Sequence, residues 1–131
     1  MKRQMLDRRD IAEIVIGALV LAFPVAVTEE VWNLSTELSL ARTIVISLAS
    51  LVFISVFVQT TYRHSFSLSS QRQLLARVLS VYGLTLLMAA AVLFAIDRLP
   101  LESQTLVAIK RTIIVAFPAS FAATVVDSLA D

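Results

Sequence analysis

Four runs of mostly apolar residues alternate with short polar and charged stretches along this chain. The runs lie at about 11–31, 40–62, 74–96 and 104–129. A helix needs roughly 20 apolar residues to cross about 30 Å of hydrocarbon, and each run meets that length. The pattern predicts an all-α polytopic membrane protein: one domain, residues 1–131, with four transmembrane helices. Asp10 is expected to cap the first helix, which should continue unbroken to Val31. Asn33–Ser39 reads as a polar link, and Arg63–Gln73, rich in Ser and basic residues, as the clearest loop. Asp97, Arg98 and Pro100 close the third helix. The amphipathic stretch Leu101–Arg111 is expected to begin the fourth at the membrane interface.

Composition supports this reading and excludes others. The chain is 58% hydrophobic and 16% charged over 131 residues, too few charges for a soluble domain of that size. Two glycines and three prolines leave few breaks, so the elements must be long. Without cysteine there is neither a disulfide framework nor thiolate chemistry. One histidine, His64, cannot build a histidine metal site alone and reads as a loop residue. A net charge of +1 gives no reason to expect a nucleic-acid partner. No catalytic triad, phosphate loop or cofactor motif is present, so the chain is not expected to be an enzyme and needs no cofactor.

Charge also sets an expected topology. Lys2, Arg3, Arg8 and Arg9 precede the first apolar run, which is too long for a secretory leader and reads as an uncleaved first membrane helix. With Arg63, Arg72 and Arg77 they put seven basic residues on one side, against Arg42, Arg98, Lys110 and Arg111 on the other. The excess places both termini in the cytoplasm of a bacterial inner membrane.

Two of the four runs are built alike. Leu21–Trp32 reads LAFPVAVTEEVW and Val115–Ser128 reads VAFPASFAATVVDS. Pro24 and Pro118 should kink their helices and free the carbonyls of Val20 and Ile114. In this topology both kinks fall at a similar depth, so the two helices would bend together. Ala18, Ala22, Ala26 and Glu30 recur every four residues, a spacing that lets membrane helices approach closely; Glu30 then ends a packing row, with Glu29 about 100° round the helix. Thr112, Ala116, Ser120, Thr124 and Ser128 repeat that spacing in the last helix, with Asp127 beside them and Ala119 and Ala123 as a second small row. Such a stripe is either a tight helix interface or the wall of a hydrated path. Glu13 is expected to pair with Arg9, Trp32 and Tyr62 to anchor at the interfaces, and Tyr82 to need a hydrogen-bond partner inside the bundle.

The elements Gly17-Ala18, Phe23-Pro24 and Thr28-x-Glu30-Val31-Trp32, with the proline-containing segment Ile109–Ser128, resemble a bacterial family of integral membrane proteins of unknown function. In longer members the Thr-x-Glu element recurs in a second half, so this chain looks like one half standing alone. The middle two helices match in hydropathy only. The resemblance carries Thr28, Glu30 and Trp32 onto motif positions and brings no activity with it.

Four short helices enclose little space, so a pathway would be shared between copies in a symmetric homo-oligomer. The leading expectation is therefore a homo-oligomeric cation channel, for Ca²⁺, another cation or protons. Its first and last helices would line the pore. Glu30 would form the acidic, metal-binding ring with Glu29, assisted by Thr28 and the Val20 carbonyl. Ser120 and Thr124 would line the wall, and Asp127 would mark the inner exit. The divalent cation would be a transported partner, not a resident cofactor. The alternative is a structural or regulatory subunit that binds another membrane protein, and a further one is a proton-coupled carrier that rocks about the two prolines.

Overall fold

The computed structural model describes residues 8–61, 71–100, 102 and 104–130. Among them are five helices: α1 (Arg8–Ala26), α2 (Glu29–Glu37), α3 (Leu40–Thr61), α4 (Gln71–Ala95) and α5 (Thr105–Ala130). Helices α3, α4 and α5 are long and apolar enough to cross a membrane. Helices α1 and α2 reach that standard only together, as a pair bent by 83°. The basic tail before residue 8, the loop around His64 and the expected anchor Tyr62 lie outside the described residues.

Helices α3, α4 and α5 lie along the expected runs at 40–62, 74–96 and 104–129, with α4 starting three residues earlier, at Gln71. The first run differs. In place of one helix over 11–31, the chain breaks after Ala26 and resumes at Glu29, turned by 83°. Thr28 is the cause. Its backbone is extended (φ −95°, ψ 145°) and its hydroxyl accepts from the Val31 amide at 3.5 Å, the work of a helix N-cap. The same hydroxyl donates to the Val25 carbonyl at 2.9 Å, which ties off the end of α1. Glu29 and Glu30 then fill the first turn of α2, where the helix dipole favours negative charge. The Trp32 indole N–H donates to the Ala26 carbonyl at 2.8 Å and fixes the corner. The residues expected as a polar link are thus largely helical.

The bundle is organised around α5, which touches every other helix, whereas α1 and α3 do not touch each other. Close packing of α1 on α5 depends on Gly17. A Cβ at this position would come within 2.8 Å of the Ala123 Cα and 2.9 Å of the Ala122 carbonyl oxygen. Ala18, Ala22 and Ala26 are buried with Ala116, Ala119 and Ala123 in one core, so small residues serve here to bring backbones together. Tyr82 finds its expected partner in Ser47 of α3, at 2.8 Å.

Helix α4 ends in a Schellman turn. Asp97 adopts the left-handed conformation (φ 64°). The Arg98 amide reaches the Leu93 carbonyl at 2.8 Å and the Asp97 amide reaches Phe94 at 3.1 Å. Asp tolerates this backbone better than most residues with a side chain, and Pro100 follows where the helix can no longer continue.

Candidate functional site

The corner between α1 and α2 separates Glu29 and Glu30 from the alanine row of α1. Glu30 does not end the alanine row: Ala18, Ala22 and Ala26 are buried, while Glu29 and Glu30 are exposed on a helix that has turned away. Thr28 is committed to its cap. Ser120 and Thr124 are buried in the core, and their hydroxyls donate to the carbonyls of Phe117 (2.8 Å) and Ser120 (2.7 Å) on their own helix. Thr112 likewise donates to Ala108 at 2.8 Å. Within one chain the stripe is therefore a satisfied, packed surface. The two prolines differ in setting. Pro24 and Val20 lie on the exposed face of α1, while Pro118 is half-buried and Ile114 buried on α5. Asp127 belongs to α5, but its side chain lies outside the described residues. Among the described residues no three His, Cys, Asp or Glu side chains converge where a metal could sit. A cation at Glu29 and Glu30 would need oxygen ligands from elsewhere.

The structure gathers a different set of charged groups. At the corner end, the α5 cations Lys110 and Arg111 are buried beneath α2. The Lys110 ammonium donates to the Leu38 carbonyl at 2.8 Å, at the C-terminal end of α2, where the helix dipole is negative. The Arg111 guanidinium spreads over three neutral acceptors: Ser35 Oγ (2.8 Å), the Arg98 carbonyl (2.8 Å) and the Trp32 carbonyl (3.3 Å). Ser35 in turn donates to the Trp32 carbonyl at 2.7 Å. Arg98 lies over the Trp32 ring, its guanidinium carbon 3.9 Å from the centroid, within cation–π range. Two neighbouring residues of α5 thus clamp a short surface helix and the α4–α5 turn onto the bundle.

At the other end, Asp10 lies inside α1 rather than ahead of it as a cap. It is fully buried and faces Arg77 of α4 at 3.5 Å. Arg77 is thus a bundle residue and not a free loop charge. Arg9 pairs with Glu13 at 3.0 Å, as expected from their spacing.

Sequence reasoning missed these partners, although a signal was present. Arg77, Lys110 and Arg111 each sit well inside an apolar helix, where a cation is expensive and needs an acceptor. Thr28-Glu29-Glu30 is also a recognisable helix start.

A family model described as "Putative integral membrane protein (DUF2391)" matches residues 2–126. The chain belongs to this family. The match runs through α3 and α4 as well as the proline-containing helices, beyond the stretches whose motifs carried the resemblance. Family membership and the apolar helices together make this an integral membrane protein. No curated protein and no solved structure matches the chain.

The clamp yields a direct prediction for this family member. Arg111→Met keeps most of the apolar stem and removes three hydrogen bonds. Charged hydrogen bonds contribute about 1.5–3 kcal/mol each, but the freed carbonyls lie near the surface and water can satisfy part of them. A net loss of about 2 kcal/mol is expected, concentrated in α2. Amide hydrogen exchange in detergent should rise over Glu29–Glu37 and remain slow in α3. Uniform protection would mean that Arg111 does not hold α2.

Proposed function

We propose that this chain is a non-transporting structural or regulatory membrane subunit that docks another membrane protein through α2. One observation carries the reading. The carboxylates Glu29, Glu30 and Glu37 are exposed on a short helix that Lys110 and Arg111 hold rigidly at the bundle end, while the polar groups of the α1–α5 contact are used up within the chain. A fixed acidic face suits a basic surface on a partner, since complementary charge steers and orients association. In this reading α1 with α2 counts as the fourth span, and both termini lie in the cytoplasm of a bacterial inner membrane.

A homo-oligomeric cation channel is the second reading. It is favoured by Glu29 and Glu30, which are adjacent, exposed and in no ion pair among the described residues. The path would have to run between copies of the chain, with α2 helices forming an acidic mouth.

Ion flux into liposomes separates the two, with wild type beside Glu30→Gln and indicators for Ca²⁺, K⁺ and protons. The subunit reading expects no flux from either, with folding verified. It also expects a photo-crosslinking residue in place of Asn33, on the exposed face of α2, to capture a second membrane protein in cells. Flux that depends on Glu30 would overturn the subunit reading and establish the channel.

A further inference from the structure

Three cations, Arg98, Lys110 and Arg111, crowd the end of the bundle where α4 turns into α5. None forms an ion pair with a carboxylate among the described residues. Buried positive charge in an apolar protein is ordinarily matched by negative charge or by full hydrogen bonding. Lys110 is accounted for by the C-terminal end of α2. The buried Arg111 and the exposed Arg98 beside it have no such match. Arg111 is 8% exposed and uses three of the five N–H donors that a guanidinium carries. Arg98 sits over Trp32, its guanidinium carbon 3.9 Å from the ring centroid. The N–H groups of Arg98 meet no acceptor among the described residues.

Both arginines line one groove of about 410 Å³, together with Asp97, Leu99, Pro100 and Gln104. Asp97 is the single carboxylate among the described residues of the lining, set against two guanidinium groups. It is exposed. Gln104 immediately precedes α5, so the positive end of a 26-residue helix adjoins the groove. Helices α4 and α5, both long and apolar enough to span, end and begin here. At such a boundary the nearest abundant anion is phosphate.

We propose that this groove binds a phosphate group, held by the remaining N–H groups of Arg98 and Arg111 with Gln104 beside them. Planar guanidinium forks match phosphate oxygens two at a time. The bound anion supplies the counter-charge that the clamp on α2 lacks. A phospholipid headgroup and a free phosphate ion share this chemistry, and the experiment distinguishes them.

Delipidated protein in detergent is given phosphatidylglycerol, or diacylglycerol as a phosphate-free control, and scored by native mass spectrometry. Inorganic phosphate is titrated separately by calorimetry. Wild type is expected to bind in at least one arm, and Arg98→Gln to weaken that binding tenfold or more with helicity unchanged. Asp97→Asn keeps a residue tolerant of the left-handed backbone and removes the opposing carboxylate. It is expected to tighten binding several-fold, a gain that misfolding cannot produce. Binding of the phospholipid alone assigns a headgroup site, binding of phosphate alone assigns a soluble anion, and binding of both supports the phosphate chemistry itself. Binding in neither arm, affinities unchanged in both variants, or diacylglycerol retained as well as phosphatidylglycerol would overturn the proposal.

Discussion

Replacing Asp10 with alanine is expected to be the most damaging small change in the molecule, at about 3–5 kcal/mol. Asp10 and Arg77 are both buried and face each other at 3.5 Å. Deleting the carboxylate leaves its share of the guanidinium charge uncompensated in a site with little water. Removing both charges should cost far less, because an apolar pair of similar volume carries no desolvation penalty. Thermal unfolding in detergent should therefore show Asp10→Ala melting well below wild type, and Asp10→Leu with Arg77→Met recovering most of the loss. Their coupling is the quantity of interest. An Asp10→Ala variant within about 0.5 kcal/mol of wild type, the range of ordinary surface changes, would mean that the pair is not what joins α1 to α4.

The second large effect is expected at Gly17. A Cβ there already meets the Ala123 backbone at 2.8 Å, and backbone atoms cannot rotate away. Gly17→Leu would force α1 and α5 apart along their shared face, with an expected loss of about 3 kcal/mol or more. Gly83 provides the control. Nothing lies within 4 Å of where its Cβ would be. Gly83→Ala should therefore be neutral or stabilise α4 by up to about 1 kcal/mol through helix propensity. Purified yield and melting temperature of the two variants would decide the matter. Equal tolerance of both substitutions would remove Gly17 from the packing argument.

The long helices were legible because hydropathy in a membrane is nearly sufficient to define them. Nothing in Leu40–Thr61 or Gln71–Ala95 competes with a continuous helix. The corner at Thr28 was not read, because the apolar run continues through Val31 and Trp32 and hides a cap in its middle. The four-residue spacing of Ala18, Ala22, Ala26 and Glu30 was real in sequence but ceased to mean one face once the helix turned by 83°. The Asp10–Arg77 and Ser35–Arg111 contacts join positions far apart in the chain. A single sequence shows only that each buried cation requires some acceptor, not which one. Hydroxyls such as Ser120 and Thr124 are ambiguous for a different reason. The same side chain can face a pathway or bond back to its own helix, and only packing decides.

The central place of α5 has a consequence for how the molecule is made. Every residue of α5 is synthesised after the four elements it joins, at about 5–20 residues per second. During those seconds α1 and α3, which have no contact with each other, can be held together only through α4. The partly made protein can already join Asp10 to Arg77 of α4, while Gly17 and the small-residue face of α1 wait for α5, and the bundle closes in a single late step.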